Sequence, residues 1–263
     1  VLFRSKLISV FGGRIKYFGI GGAPLDPEVE RFLHDGGFPY AIGYGLTETS
    51  PLISGIGPGK QQPGATGPVL EGLEVRLSNR NEDGIGDIEV RGPSIMLGYY
   101  REPEKTAEVL SEDGWFSTGD RGAWARDGYL AIRGRTKTMI LGPSGENIYP
   151  EAIEAVIDNQ EFVEESLVYE GENRGLVARV RVNYEALQDY LARVGDSVKN
   201  RAADTPEAVG DFLAELRRRV NAQLSSFARL QQIIPQDEPF VRTPTRKIKR
   251  FLYTEQGGNP KAN

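Results

Sequence analysis

The chain has 263 residues, of which 39% are hydrophobic, so it is long enough to bury a substantial apolar core. Its formal net charge of −5 argues against a general nucleic-acid binder, and its apolar runs are too short for a transmembrane helix. Because cysteine is absent, disulfides, thiolate metal sites and a cysteine nucleophile are excluded. We therefore expect a soluble globular protein, with the cytoplasm as its default compartment.

The first predicted elements alternate between strand and helix. Apolar runs at residues 15–20 and 38–44 predict two buried strands, and the segment between them predicts a helix with Val29, Phe32 and Leu33 directed inward. Strand, helix and strand in this order predict the end of a parallel α/β sheet layer, over residues 1 to about 70. Ligands of such sheets bind at the carboxyl ends of the strands.

From residue 73 the pattern changes to alternating apolar and polar residues. Residues 73–77, 87–91 and 129–133 show this period of two, and turn-forming residues lie between them. The pattern predicts a small antiparallel β subdomain over about residues 71–134.

The last part of the chain predicts an α+β domain. A helix is expected to begin at Pro150, and strands at 165–169 and 176–182 follow. Two later helices are expected at about 184–194 and 206–224, with a loop at 195–205 between them. Glycine supports the division, since 26 of the 32 glycines lie in residues 1–150. We predict one domain over 1–134 and a second over 135–263.

The turn at residues 43–51 carries the most chemical information. It places the aromatic ring of Tyr44, the hydroxyl of Thr47 and the carboxylate of Glu48 on one glycine-rich turn after a predicted strand. Such groups can stack on a base, donate to phosphate and bind Mg²⁺. The alternative is an ordinary strand-end turn with a threonine helix cap.

Six motifs in fixed order resemble the adenylate-forming (AMP-binding) enzymes, the superfamily of acyl-CoA synthetases, luciferases and peptide-synthetase adenylation domains. The later motifs are most similar to long-chain fatty acyl-CoA synthetases. The motifs occupy residues 21–24, 43–51, 115–120, 134–140, 145–154 and 243–250.

One feature of that family is missing. Its members carry, upstream of the Gly-Gly-Ala-Pro segment, a Ser/Thr/Gly-rich loop that ends in Pro-Lys and wraps the ATP phosphates. Residues 57–60 are the nearest match here and lack the run of hydroxyls. The resemblance therefore implies the C-terminal part of a longer enzyme. Residues 1–5 read as sheet-like, and their origin is left open.

The resemblance implies a nucleotide site in the first domain. Tyr44 would stack on adenine, Thr47 would contact phosphate and Glu48 would bind Mg²⁺. Asp120 would accept from the ribose hydroxyls, where the alternative is a turn or helix-capping aspartate, and Arg135 would contact the ribose side, where the alternative is a solvated surface arginine. The adenine pocket would be lined by Gly22, Ala23 and Pro24, and Gly45 would let the backbone approach the ligand.

The resemblance also implies a catalytic lysine and a hinge. Lys247 would bridge the substrate carboxylate and the α-phosphate, although Arg246 stands where the family usually has glycine. The alternative is a solvated basic tail, because Arg242 to Arg250 is a run of a single charge sign. Lys137 matches the hinge about which a C-terminal lid takes two poses.

The implied function is ATP-dependent activation of a carboxylic acid, most similar to a long-chain fatty acid, and its transfer to coenzyme A. ATP or AMP, Mg²⁺, fatty acid and coenzyme A are the implied ligands, and contact with a membrane surface is left open, as is the oligomeric state. Two alternatives stay open: an acyl-carrier-protein ligase, and a catalytically silent AMP-binding or interaction fragment.

Overall fold

The computed structural model describes residues 2–143, 145–171, 173–194, 206–243 and 247–254. The chain divides into two compact units, Val1–Lys137 and Thr138–Asn263. The predicted domain limits stay a prediction, and the loop predicted at 195–205 lies outside the described residues. No helix in the described ranges is long and apolar enough to cross a bilayer.

The first sheet of unit 1 has three strands. Strand β1 pairs in parallel with β2, as the strand–helix–strand order predicted, whereas β3 pairs with β2 in the antiparallel sense. The layer is therefore mixed. Its elements are α1 (Leu2–Val10), β1 (Phe18–Ile20), α2 (Pro27–Asp35), β2 (Tyr40–Gly45) and β3 (Leu52–Ile56). The sheet-like interpretation of the first residues is wrong, because they begin α1.

The orientation of α2 differs from the prediction. Val29 and Phe32 are 45% and 50% exposed, Leu33 is half-buried, and the buried residue of the helix is Glu30. The Glu30 carboxylate accepts a hydrogen bond from the backbone nitrogen of Gly64 at 2.8 Å, which satisfies the buried charge. Hydrophobic periodicity could not reveal this face, because a loop partner more than 30 residues away stabilises it.

The second half of unit 1 is the antiparallel subdomain that the alternating pattern predicted. Its four strands pair in the order β4-β5-β6-β7, and a buried cluster that includes Ile88, Val90 and Leu130 packs with Ile53 of β3. The elements are β4 (Glu74–Ser78), β5 (Gly86–Arg91), α3 (Pro103–Val109), β6 (Phe116–Trp124) and β7 (Leu130–Arg135).

Unit 2 is an α+β unit built on a three-stranded sheet. The strands lie in the order β10-β11-β12, with β10 antiparallel and β12 parallel to β11. Its elements are β8 (Ile140–Leu141), β9 (Asn147–Ile148), α4 (Pro150–Asp158), β10 (Val163–Glu170), β11 (Leu176–Val182), α5 (Tyr184–Val194), α6 (Pro206–Gln223) and β12 (Leu230–Pro235).

The two faces of this sheet are covered differently. Successive residues of a strand point to opposite faces. Val168 of β10 accordingly belongs to the core that includes residues of α4 and α6, whereas its neighbours Leu167 and Tyr169 pack with Phe240 and Tyr253 from the end of the chain. The C-terminal segment therefore covers the face opposite the helices.

Candidate active site

Two turns leave the first sheet at the same edge. Since β1 and β2 are parallel, with Ile20 opposite Ile42, the segments 22–24 and 45–48 both follow the carboxyl ends of neighbouring strands. Gly22, Ala23 and Pro24 are exposed there. The structure therefore brings two predicted site segments to the edge where α/β sheets bind ligands.

Gly45 is required by the turn itself. A Cβ at this position would lie 1.8 Å from the backbone oxygen of Pro51, far inside van der Waals contact. Any side chain would force the two backbone segments apart. This packing explains the glycine, while its contact with a ligand stays a prediction.

The segment Thr47–Thr49 forms one turn of 3₁₀ helix. The hydroxyl of Thr49 is buried and closes the turn by accepting from the backbone nitrogen of Leu46 at 3.0 Å. Thr47 is exposed and Glu48 is half-buried. The threonine that fixes the turn is therefore Thr49, which leaves Thr47 accessible to a ligand.

Glu48 is held by a tyrosine from a later loop. The Tyr99 hydroxyl donates to Oε1 of Glu48 at 3.0 Å, and the backbone nitrogen of Met96 donates to the Glu48 carbonyl at 2.9 Å. Desolvation, and then the nearby carboxylate, raise the pKa of Tyr99 above its usual value. The hydroxyl therefore stays protonated at neutral pH and acts as the donor.

Three strands contribute to a polar cluster formed by Tyr44, Asp120 and Arg135. The Tyr44 hydroxyl donates to Oδ2 of Asp120 at 2.8 Å, and Nε of Arg135 lies 3.1 Å from Oδ1. Asp120 is only 5% exposed, whereas about half of the Arg135 side chain is exposed. Burial, and then the charge of Asp120, raise the pKa of Tyr44 well above its usual range. Tyr44 is therefore a fixed donor to a buried carboxylate.

A bulge in β6 sets the position of Asp120. Asp87 pairs with Arg121 and Glu89 pairs with Ser117, so two steps along β5 match four steps along β6. Gly119 lies in this bulge with a φ of +72°, a conformation that favours glycine. The Ser-Thr-Gly-Asp sequence is thus a bulged strand.

Thr118 supports the bulge from within. Its hydroxyl donates to the carbonyl of Ile88 at 2.9 Å and accepts from the backbone nitrogen of Asp120 at 3.1 Å. The alternative view of Asp120 as a turn or helix-capping residue is wrong, because Asp120 is a buried strand residue with two charged or polar partners.

Comparison with known proteins gives a consistent family. Residues 4–100 match the family described as AMP-binding enzyme. Long chain acyl-CoA synthetase 7, peroxisomal, of Arabidopsis thaliana is 36% identical over 267 residues, which cover 94% of this chain and 38% of that relative. Fatty acyl-CoA synthetase A of Dictyostelium discoideum is 33% identical over 267 residues, covering 94% of this chain and 40% of that relative.

Residues 4–100 therefore match the AMP-binding enzyme family, and nearly the whole chain is similar to acyl-CoA synthetases. The chain spans about two fifths of the length of these curated relatives. Among solved structures, the ATP-bound RpMatB-BxBclM chimera B1 superimposes with a TM-score of 0.70 at 28% identity, covering 94% of this chain and 46% of the other. O-succinylbenzoate CoA synthetase of Bacillus subtilis in complex with OSB-AMP has a TM-score of 0.71 at 22% identity, covering 94% and 49%, and shows the same fold.

The predicted catalytic lysine and the predicted hinge residue are both exposed. Lys247 lies in unit 2, and its backbone nitrogen donates to the Thr243 hydroxyl at 3.1 Å. Lys137 is in a turn and is the last residue of unit 1. Pro244, Thr245 and Arg246 lie outside the described residues. The roles of Lys247 and Lys137 stay predictions.

The donor set fits a magnesium ion that is held mainly by substrate. Among the described residues, no group of three or more histidine or acidic side chains could form an all-protein metal site. Mg²⁺ is usually bound by one or two carboxylates together with phosphate oxygens and water. Glu48 offers one half-buried carboxylate whose Oε1 is oriented by Tyr99, which agrees with that pattern.

Two residues of the site were missed in the sequence. Tyr99 follows Gly98 in a loop about 50 positions from Glu48, and no local pattern links the two. Thr118 is part of the recognised motif, but its inward direction depends on the bulge. The contacts of Tyr99 and Thr118 can be recognised only when the strand register is known.

Proposed function

We propose that this chain takes part in ATP-dependent activation of a long-chain fatty acid and in transfer of the acyl group to coenzyme A. The observation that carries the proposal is the buried Asp120, joined to Tyr44 of the first sheet and to Arg135 of the neighbouring strand β7. The names of the acyl-CoA synthetase relatives support the fatty acid and the thiol acceptor.

In the first step, a carboxylate oxygen of the fatty acid attacks the α-phosphorus of ATP and pyrophosphate leaves. Two anions must approach each other, so cations and oriented donors lower the barrier. Lys247 would lie between the carboxylate and the α-phosphate, and Thr47 would donate to phosphate. Glu48 would hold Mg²⁺, which supplies positive charge to the phosphate oxygens when bound.

The nucleotide would be held by the polar cluster and the sheet edge. Asp120 would accept from the ribose hydroxyls, and the half-exposed Arg135 would be the first member of the cluster that a ligand meets. The adenine would lie against Tyr44, Gly45 and the segment Gly22, Ala23 and Pro24. Asp120 is already ordered by two partners, so binding would not need to position it.

In the second step, the sulfur of coenzyme A attacks the acyl carbon, the thiol proton is released and AMP leaves. The space that Lys247 occupies in the first step must then open. We infer that rotation at Lys137 moves unit 2 between two poses, because an exposed residue at the junction tolerates a backbone change. The proposed compartment is the cytoplasm, although the Arabidopsis relative is named peroxisomal.

The decisive experiment measures adenylation with the longest natural form of the protein. Asp120→Asn should weaken AMP binding and slow fatty-acid-dependent pyrophosphate release by about 10- to 100-fold, the range for a lost hydrogen bond to a charged group. The matched control is Asp127→Asn, an exposed aspartate in the turn between β6 and β7, which should behave like the wild type.

The same assay separates the alternatives. AMP binding without pyrophosphate release in the wild type would favour a catalytically silent AMP-binding protein. Adenylate formation followed by transfer only to an acyl carrier protein would favour the carrier-protein ligase. Equal effects of Asp120→Asn and Asp127→Asn would contradict the assigned nucleotide site.

A further inference from the structure

Lys247 lies on one of two paired segments at the end of the chain. Arg242 is opposite Ile248 in an antiparallel bridge. The backbone nitrogen of Thr243 donates to the Lys247 carbonyl at 2.8 Å, and that of Lys249 donates to the Val241 carbonyl at 2.9 Å. We call residues 241–243 and 247–249 the paired segments. Their backbones hold each other, but this does not fix them to the rest of unit 2.

The first paired segment is tied to the sheet by a carboxylate. Nη2 of Arg242 forms an ion pair and hydrogen bond with Oε2 of Glu165 on β10. Oε1 of Glu165 also accepts from the backbone nitrogen of Phe240 at 3.2 Å, and Arg181 lies 3.7 Å away. Glu165 is 9% exposed, so its charge is buried under the segment that it binds.

The second paired segment is tied by a different carboxylate. Arg250 directly follows this segment, and its Nη2 contacts Oε2 of Glu154 on α4, while its Nη1 donates to the carbonyl of Val168 at 3.2 Å. The backbone nitrogen of Val168 donates to Oε1 of Glu154 at 2.7 Å. Burial raises the pKa of Glu154, and the Arg250 charge opposes that shift.

An apolar cluster lies between these two ion pairs. The rings of Phe240 and Tyr253 meet edge to face with centroids 4.9 Å apart, and both residues are buried. The Tyr253 hydroxyl accepts from the backbone nitrogen of Val241 at 2.7 Å, and Ile248 packs against the same cluster. The two ion pairs and the apolar cluster therefore hold the paired segments against the sheet, although Lys247 itself is exposed.

Ion pairs that bury a carboxylate add little net stability, because desolvation of the carboxylate offsets much of the attraction. Apolar residues would cover this face of the sheet without the desolvation penalty. Arginine–carboxylate contacts instead fix direction and distance. A lysine side chain is long and flexible, so a precise position for its amine requires a rigid base.

We propose that Glu154 and Glu165 are positioning residues that hold the paired segments, through Arg250 and Arg242, in the arrangement from which Lys247 reaches the reacting groups. The inference rests on the proposed role of Lys247 in adenylation. Arg242 and Arg250 of the basic run are ion-paired to Glu165 and Glu154, although the Arg242 side chain is 44% exposed.

The test compares half-reactions in the longest natural form of the protein. Glu154→Gln and Glu165→Gln keep the side-chain shape and remove the charge. Each should slow adenylation, measured as palmitate-dependent pyrophosphate release, by about 10- to 100-fold, the cost of a small misplacement of a reacting group. Conversion of supplied palmitoyl adenylate and coenzyme A to palmitoyl-CoA should change less than about threefold, because it does not need Lys247.

The matched control is Glu164→Gln. Glu164 is the neighbour of Glu165 on β10 and pairs at 2.8 Å with Arg181, which lies outside the paired segments. It should leave both half-reactions near the wild-type rates. Arg250→Lys, which keeps the charge, should restore part of the adenylation rate that Arg250→Gln loses.

Trypsin provides a readout that does not depend on activity. Cleavage after Lys247 and Lys249, located by mass spectrometry, should be faster in Glu154→Gln and Glu165→Gln than in Glu164→Gln at equal thermal stability. If cleavage and adenylation in these variants match the control while Lys247→Ala selectively blocks adenylation, the positioning role alone is overturned. If Lys247→Ala slows both half-reactions equally, the role of Lys247 fails and the positioning role fails with it.

Discussion

The two units place the charges of their predicted site residues in opposite ways. In unit 1, the carboxylate of Asp120 is itself buried, and strands β2, β6 and β7 supply its partners. In unit 2, Lys247 is exposed, and the buried charges belong to Glu154 and Glu165 beneath it. Unit 1 therefore has a group fixed in place, and unit 2 has an exposed group on a fixed support.

We propose that the difference reflects the separate roles of the two groups in the reaction. A carboxylate that binds a ribose acts throughout the reaction, so its burial and its two permanent partners do not slow turnover. A lysine that serves only adenylation must be free of permanent partners, because it has to exchange one position for another. In unit 2 the ordered part is the backbone that carries Lys247, which supports the proposed roles.

The sharpest test of this comparison is Lys247→Ala. Loss of a cation at the α-phosphate should slow adenylate formation by about 10²- to 10³-fold, the usual effect of removing one oriented charge donor from a reacting site. Conversion of supplied acyl adenylate to acyl-CoA should stay close to the wild-type rate. Stopped-flow measurement of each half-reaction checks this, with Lys249→Ala as the control. Equal slowing of both steps would contradict a role confined to adenylation.

The next test concerns the junction. Proline fixes φ, so Lys137→Pro should hinder rotation at this position. If it locks the adenylating pose, thioester formation should fall by about 10-fold or more while adenylation persists, because lid motion often sets such rates. Lys137→Gln keeps the backbone free and should change neither step. A loss of adenylation alone in the proline variant would mean that the other pose is locked.

Tyr44→Phe probes the buried cluster of unit 1. The ring remains, but Asp120 loses one donor, so the free energy of unfolding should fall by about 1–3 kcal/mol. AMP affinity should fall as well, by about 10-fold, since Asp120 is then held by Arg135 on one side only. Urea unfolding and calorimetric titration with AMP measure the two effects. Tyr129→Phe, whose hydroxyl contacts the Lys60 carbonyl, is the control and should leave AMP binding unchanged.

A smaller effect is expected for Tyr99→Phe. The Glu48 carboxylate would lose the donor that orients Oε1, while its charge would remain. The Mg²⁺ concentration for half-maximal adenylation should rise by about 10-fold or less, the lower end for loss of a partner behind a metal ligand. Binding of Mn²⁺ followed by electron paramagnetic resonance in the presence of an ATP analogue should weaken in parallel. Tyr100→Phe, at the 83% exposed neighbour, is the control.

The sequence predicted those elements whose secondary structure is set by a local pattern of residues. The alternating segments became β4, β5 and β7, and the order of strand and helix gave the parallel pair β1 and β2. The motif residues Tyr44 and Asp120, 76 positions apart, meet in one hydrogen bond. The family resemblance implied one nucleotide site for both residues, but it did not predict this hydrogen bond.

The remaining features depend on long-range contacts. The prediction of the buried face of α2 was wrong, because Glu30 is buried and accepts a hydrogen bond from the backbone nitrogen of Gly64. Tyr99 was missed for the same reason. In unit 2, Glu165 shares its side of β10 with Leu167 and Tyr169, and a charge in such a run usually indicates an exposed face. The charge is accommodated inside because Arg242, the backbone nitrogen of Phe240 and Arg181 all lie against it.

The smallest predicted effect is a pH dependence in unit 2. Asp158 at the end of α4 is exposed as a residue, yet desolvation of its carboxyl, and the nearby charge of Glu165, raise its pKa to about 6 from 3.8. The folded state therefore holds this proton where the unfolded state has lost it. The stabilisation is fully present below pH 3.8 and is lost as the pH rises through about 6.

Asp158→Asn removes this proton equilibrium. Relative to the wild type, the variant should gain in free energy of unfolding as the pH rises from 4 to 7, and its stability should vary less across that interval. The gain should be small, because solvent screens an exposed charge. Urea unfolding at several pH values measures it, with Asp237→Asn as the control from the same unit. An unchanged difference between Asp158→Asn and the wild type at every pH would mean that the Asp158 carboxyl titrates normally and does not sense the Glu165–Arg242 pair beside it.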